Sequence, residues 1–392
     1  MKENHSKPVR PGKENLSKIM KALGSIQDLR QESKVKYPIS DVILLTVAAI
    51  AGSAKTWVEI EDYGKEYARL LFRYLQIAAI PSHDTIERVF SLISPFVLER
   101  IYKLWCGQMD FPEETPESLR GHKLLNLDGK TIRGSAGRGK RAVHIESAWD
   151  PQQGICLGQT ATEEKSNEIT AIPKLLGRLD LHGYIVTSDA MGTQTAIAGQ
   201  IILKGGDYVL AVKGNQGTTY EDMRLSAEDT VFLNELKKKG WYKKTTEKAH
   251  GQIEIREYWQ CSDLFFLSTA EKWEGLQSVG YERSTIRKDG KETVTWRFFL
   301  TSLPADTEMF AEAVRGHWRI EAMHNVLDVV LREDANKTVE RTAAENQNIL
   351  RKWTVTILRH AEVRKKGISM RRKNLILGWN PKPVLEMLTG VT

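Results

Sequence analysis

The apolar residues of this chain change their spacing near residue 123, and that change limits the folds open to it. Ahead of it, SDVILLTVAAIAG (40–52), WVEIEDYGKEYARLLFRYL (57–75) and HDTIERVFSLISPFVLERIYKLW (83–105) repeat apolar residues every three or four positions, the spacing of one buried helix face. Pro81-Ser82 separates the last two, with Ser82 or His83 placed to cap the third. After a polar stretch, PEETPESLRGHK (112–123), the pattern turns to short apolar runs: LLNLD (124–128), AVHIESAWD (142–150) and GICLGQTAT (154–162) read as three successive strands. A helix (169–181), a strand (184–190), a helix (194–206) and a strand (207–214) follow. Strands in meander followed by alternating helix and strand predict an α/β chain, a mixed sheet flanked by helices.

Residues 215–302 have another texture. A charged helical stretch (219–239) leads into IEIREYWQC and VTWRFFLTS, with a KDGK turn at 288–291, which predicts a β-rich insertion. Helix returns in AEAVRGHWRIEAMHNVLDVVL (311–331) and VERTAAENQNILRKWTVTILRHAEV (339–363). The expected organisation is a basic tail (1–15), a helical N-terminal domain (16–111), a first part of an α/β core (112–214), the insertion (215–302), a helical remainder of the core (303–362) and a basic C-terminal segment (363–392).

The chain is 41% apolar and 27% charged, enough for ordinary cores. Its longest apolar run, residues 42–52, is too short to span a bilayer, and the polar start does not resemble a secretory leader. Cys106, Cys156 and Cys261 lack CxxC spacing and fit a reducing compartment, so the expectation is a cytoplasmic protein with no membrane partner. Charge is uneven: residues 1–37 carry +5 and residues 351–392 carry +8 against +7 overall, so the middle carries −6. Basic ends suit polyanions, because Lys and Arg displace counterions from phosphates; they equally suit simple solubility.

Two aspartates share one setting. Asp128 in LLNLDGK and Asp189 in IVTSDAMG each follow an apolar run where the chain is expected to leave the sheet. Ligand sites gather at such strand ends. Two facing carboxylates repel, a conflict that Mg²⁺ or Mn²⁺ removes with the oxygen ligands it prefers. His317, Glu321, His324 and Asp328 are spaced four, three and four, so all four share one helical face. That face is either a polar stripe towards solvent or the third wall of a site, with Val314, Trp318 and Leu331 as apolar cover. A di-iron site built on Glu321-x-x-His324 would need a second such motif on a partner helix, and no other stretch that reads as helix carries one.

These blocks carry a resemblance. LLNLDGKTIRGS, IVTSDAMGTQ, YVLAVKGNQ, HGQIEIRE and HWRIEAMHNVLDVVLREDA, in that order, resemble the signature blocks of bacterial insertion-sequence transposases of the Asp-Asp-Glu class, in the H-repeat-associated group. AGSAKTWVEIEDYG and IPSHDTIERVFSLI resemble that group's helical leader, and the resemblance runs from about residue 20 to 380. It implies an RNase H-like core with Asp128, Asp189 and Glu321 as catalytic and metal-holding carboxylates, with Mg²⁺ as cofactor and Mn²⁺ as a substitute. It implies binding of terminal inverted repeats in double-stranded DNA, strand cleavage and strand transfer, and a homodimer in the synaptic complex, close to the nucleoid. Alternatives are an inactive DNA-binding relic and a metal-dependent nuclease. Phosphate contacts are expected from Lys130, Arg133, Lys213, His317, Arg319 and Lys337, and Gly129 is expected to let the backbone clear a substrate phosphate. Wider relatives carry a Tyr-Arg-Glu-Lys pattern whose positions here are Val314, His317, Glu321 and Asp328, so only its Glu is kept.

Overall fold

A computed structural model describes residues 21–30, 33, 35–112, 115–137, 139–162, 168–249 and 251–389; the expected tail at 1–15 lies outside them. The N-terminal third is helical, with α1 (Ile39–Ala51), α2 (Trp57–Glu66), α3 (Ala68–Leu75), α4 (His83–Leu92) and α5 (Pro95–Cys106). The stretch read as one helix over 83–105 breaks at Ile93-Ser94, where Pro95 opens α5 at its first turn. Thr56 and Glu59 form a reciprocal capping box at the start of α2.

The rest of the chain supplies β1 (Lys123–Ile132), β2 (Val143–Asp150), β3 (Ile155–Ala161), α6 (Glu168–Gly177), β4 (Tyr184–Ser188), α7 (Thr195–Leu203) and β5 (Asp207–Val212). Then come α8 (Gly217–Glu228), α9 (Thr230–Lys238), β6 (Tyr242–Ala249), β7 (Gln252–Cys261), β8 (Ser278–Lys288) and β9 (Lys291–Thr301). The chain continues with α10 (Thr307–Asn325), a π-helical turn (Val326–Val330), α11 (Arg341–His360), α12 (Met370–Trp379) and α13 (Lys382–Thr389). Among the described residues the strands form one nine-stranded mixed sheet, ordered β3-β2-β1-β4-β5-β9-β8-β7-β6. β1, β4 and β5 are parallel and all other pairings antiparallel.

The strands expected as an insertion extend this same sheet: β9 pairs with β5 from Val209↔Thr301 to Val212↔Phe298. The KDGK segment closes β8 onto β9 with Asp289 and Gly290 both at positive φ, 49° and 73°, the backbone of a tight hairpin turn that glycine favours.

Each face of the sheet has its own cover. Leu125, Leu127 and Ala148 pack with Ile172 and Leu175 of α6 and Ile197 and Ile201 of α7. On the opposite face, α10 crosses from Phe310, packed on Tyr258 and Phe299, to Gly316, where an added Cβ would lie 2.1 Å from Leu124 Cδ1. Beyond α10, α11 covers β2 and β3, and the buried Lys352 Nζ donates to Ser147 Oγ (2.6 Å) and Gln159 Oε1 (2.9 Å).

The N-terminal helices have no core of their own. The residues of α1, α2, α4 and α5 bury their apolar faces with those of α11, α12 and α13 and with Ile320 and Met323 of α10 in one cluster. α1 is apolar nearly all round, as a helix enclosed on every side must be. Its last carbonyls, of Ile50 and Ala51, accept from Asn374 Nδ2 of α12 at 3.3 and 2.9 Å. The expected boundary at residue 111 is therefore no break in packing. Helix α5 also closes the β3 edge: Gln159 N donates to Glu99 Oε2 (2.8 Å), Cys156 N to Tyr102 OH (3.1 Å), and Arg178 of the segment after α6 donates to the Gln159 carbonyl.

His360, at the end of α11, joins these layers. Its ring stacks on Phe111 with centroids 4.2 Å apart, and Nε2 donates to the Gln153 carbonyl at 2.7 Å. Burial pushes its pKa down from 6.5 to about 4. The neutral ring is thus favoured in the folded state, so its contribution is complete above pH 6.5 and is lost as the pH falls through 4. Denaturant unfolding at pH 7 and pH 4.5 is expected to show a smaller acid loss for His360→Gln than for the parent, by up to about 3 kcal/mol.

Candidate active site

The register of β1 against β4 decides where the two aspartates meet. The parallel pairing ends at Leu127↔Ser188, so Asp128 and Asp189 are the next positions on adjacent strands. They project to the same side as Asn126 and Thr187, the face that α10 covers. Asp128 is not at the end of its strand: β1 continues to Ile132, paired to β2 through Asp128↔Ser147. What ends beside Asp128 is β4, whose chain turns away at Asp189. There Asp189 Oδ1 accepts from the amides of Met191 (3.0 Å) and Gly192 (3.3 Å).

Helix α10 is fastened over these strands by buried polar contacts. Asn126 Nδ2 donates to the Gly316 carbonyl (2.8 Å), and Thr187 Oγ1 donates to Asn126 Oδ1 (2.9 Å). The same hydroxyl lies 2.8 Å from His317 Nδ1, so this nitrogen must carry the proton and donate. Burial pushes His317 down to about 4, against the opposing charge of Asp128, which leaves a neutral imidazole near pH 7. His317, expected among the phosphate contacts, here spends its Nδ1–H on Thr187.

One turn on, Glu321 reaches a cavity of about 160 Å³ shared with Asp189, Lys213, Arg297, His317 and Trp318. Burial, and next the charge of Asp128, holds the Glu321 carboxyl above its ordinary range, with Arg297, His324 and Lys213 acting in the opposite sense. A further turn on, His324 Nδ1 lies 3.3 Å from Asp128 Oδ2, while its buried Nε2 has no hydrogen-bond partner among the described residues. Of the four residues spaced along this face, His317, His324 and Asp328 meet Thr187, Asp128 and Lys130 of the strands, while Glu321 is exposed at the cavity. Trp318 departs from its expected role as apolar cover: it is 39% exposed at the cavity, with the Arg297 guanidinium 4.6 Å from its ring centre.

Lys130 departs furthest from expectation. It is not on the surface: its side chain is 9% exposed and its Nζ lies 2.8 Å from Asp328, 3.0 Å from Glu333 and 3.3 Å from Asp334. Glu333 is fully buried and also meets Arg351 and Asn348, at 3.9 and 2.9 Å; Arg351 and Lys130 hold its carboxyl below the usual range against burial. The Gly129 expectation is corrected too. A Cβ there would lie 2.4 Å from Glu146 Oε1 and 2.5 Å from His144 Nε2, on the face away from Asp128, so packing against β2 demands the glycine.

Of the other expected contacts, Lys213 is exposed at the cavity. Arg133 is 84% exposed with Nε 3.6 Å from Asp334, and Lys337 is exposed. Arg319 points elsewhere, to Glu312 and a wider cleft lined by Met323, Arg359 and Met370. Arg297 went unread, because on the alternating strand β9 nothing separates it from any other outward residue.

The donor chemistry fits a hard divalent cation. Three carboxylates from β1, the end of β4 and α10 approach one face, and Glu321, which makes no hydrogen bond or ion pair among the described residues, is disfavoured as an anion by Asp128. The described residues do not gather three His, Cys, Asp or Glu side chains at the spacing of a bound ion.

Residues 119–357 match the family described as "Transposase DDE domain", and residues 20–106 match the family described as "DDE_Tnp_1-associated". The chain belongs to the DDE transposases. Among its relatives is "Putative transposase YncI" of Escherichia coli O157:H7, 38% identical over 372 residues, with 93% of each chain covered. "H repeat-associated putative transposase YhhI" of Escherichia coli K12 is 36% identical over 376 residues, covering 93% of this chain and 96% of the relative. A solved piggyBac transposase synaptic complex with hairpin DNA aligns at a TM-score of 0.47 and 11% identity over 98% of this chain and 83% of that one, too loosely to bear on the chemistry. The transposase family thus named agrees with the resemblance carried by the sequence blocks.

Lys130→Met is expected to lower unfolding free energy by about 3–5 kcal/mol, since it leaves Asp328 and Glu333 without their shared ammonium. Arg133→Gln, just past the end of the same strand and exposed, should stay within about 0.5 kcal/mol of the parent. Urea titrations of the two variants test the contrast.

Proposed function

We propose that this chain is a DNA transposase of an insertion sequence, which binds terminal inverted repeats and carries out Mg²⁺-dependent strand cleavage and strand transfer at Asp128, Asp189 and Glu321. The observation that carries the reading is the β1–β4 register, which sets Asp128 beside Asp189 beneath the helix that holds Glu321. The strand order β3-β2-β1-β4-β5, antiparallel in its first pairings and parallel in the last, supports an RNase H-like core.

Asp128, Asp189 and Glu321 would hold Mg²⁺, or Mn²⁺ in its place. Bound there, the metal supplies Lewis acidity at the attacking and leaving oxygens of a phosphoryl displacement. The chain's own residues prepare that site. His324 orients Asp128 through Nδ1, and the Asn126–Thr187–His317 contacts fix the height of α10. Lys213 and Arg297 present positive charge to a phosphate, and the open face of Trp318 offers a surface on which a base can stack. Action at two paired DNA ends favours a homodimer, working on the nucleoid in the cytoplasm. No helix among the described residues is long and apolar enough to cross a membrane.

The test uses purified protein, labelled DNA carrying the element's own ends, and Mg²⁺. The parent should nick at the repeat boundary, and Asp128→Ala, Asp189→Ala and Glu321→Ala should each lose more than the ~10–100-fold typical of outer-shell changes while retaining DNA binding. Binding without cleavage, in Mn²⁺ as well, would overturn the catalytic assignment.

A further inference from the structure

We propose that α12 and the loop before it form a docking face for the backbone of duplex DNA beside the catalytic helix, a face that grips phosphates and does not read bases. The inference rests on the transposase reading and adds to it the place where DNA flanking the reacting phosphate is held.

Arg364, Lys365, Lys366, Arg371 and Arg372 are all exposed, and their side chains make no ion pair or hydrogen bond among the described residues. This separates them from the rest of the basic C-terminal stretch. Arg351 and Lys352 are buried in α11, and Arg359 donates to the Gln152 carbonyl. The five free cations are thus the part of that charge available to a ligand.

Their placement is costly without an anion. Arg371 and Arg372 sit with Lys373 in the first turn of α12, which has no acidic residue, at the end of a helix that disfavours positive charge. Lys55 lies against the same region: its Nζ donates to the Val330 carbonyl at 2.8 Å. Burial, and then the nearby charges of Arg332, Arg371 and Arg351, push Lys55 below the usual lysine range, with Glu59 opposing. Like charges are therefore crowded where local stability would spread them, and a polyanion relieves that crowding.

The face adjoins the site. α12 packs against the π-helical turn Val326–Val330, which begins five residues past Glu321, about 7.5 Å along the helix axis. A duplex with its reacting phosphate at Glu321 reaches this face within about one turn of DNA, ~34 Å. Helix α4 of the N-terminal region fits less well. Its open side carries Asp84 and Glu87 with Arg88, and Glu61 binds both the amide and the ring of His83.

The experiment measures binding of the full chain to a duplex of arbitrary sequence as salt is raised. It compares the parent with a variant carrying Arg364→Gln, Lys365→Gln, Lys366→Gln, Arg371→Gln and Arg372→Gln. The expected result is weaker binding and a shallower dependence of log K on log salt, by about 0.9 for each phosphate contact removed. Alongside, acetylation of the unaltered protein should be slowed by duplex at Lys365 and Lys366 but not at Lys238, exposed on α9; this arm decides the matter even if the variant misfolds. Unchanged salt dependence together with unprotected lysines would overturn the proposal. So would loss of binding to phosphatidylserine vesicles with duplex binding intact, which would make the face a lipid surface. Cleavage by the parent with binding indifferent to these residues defeats only this inference, whereas cation-dependent binding without cleavage defeats only the catalytic reading.

Discussion

The buried hydroxyl of Thr187 holds the candidate active site together. It donates to Asn126 on the neighbouring strand and accepts from His317 on the helix above, so one atom ties β1, β4 and α10. Asn126 adds a bond to the carbonyl of Gly316, where the lack of a side chain lets α10 settle onto Leu124. Such contacts are strong because nothing else is present to satisfy the groups they join. Once the helix is set at this height, Glu321 one turn on lines the cavity with Asp189, and His324 two turns on lies against Asp128.

A second device works beyond Asp128. Lys130 leaves β1 on the same side as Asp128 and enters a pocket of three acids supplied by the π-helical turn and the segment after it. A π-helical turn widens the backbone, and here it lets Asp328 reach Lys130 while the chain bends towards α11. Glu333 carries the linkage to Arg351 and Asn348. The strand that bears the first carboxylate and the helix that bears the third are thereby joined on both sides of the site.

Much of this was legible in the sequence. The switch of apolar period marked the helical and sheet regions, the KDGK turn marked a hairpin, and the four-three-four spacing of His317, Glu321, His324 and Asp328 marked one helical face. Helix breaks such as Ile93-Ser94 were not legible, because apolar spacing runs through a short interruption unchanged. The fate of Lys130 was hidden as well: a lysine after Asp-Gly reads as surface charge until the partners that bury it, some two hundred residues away, are known. Gly129 shows the same limit, since the reason for it lies on β2 and not in the substrate. The shared core of the first and last helices was equally invisible, because an amphipathic helix does not declare which partner covers it.

The two edges of the sheet are unlike. At β3, side chains of α5 and Arg178 occupy backbone groups that a further strand would need; β6, the other end of the order, carries the charged Lys243, Lys244, Glu247 and Lys248, and α10 meets it through Glu308 and Arg315. The sheet is thus directional as a building material. Any strand joined to it, by fusion, by exchange between copies or by unwanted aggregation, has one side on which to grow, and charge rather than covering sets the barrier there. Salt and pH, which act on charge, therefore bear directly on growth at that edge.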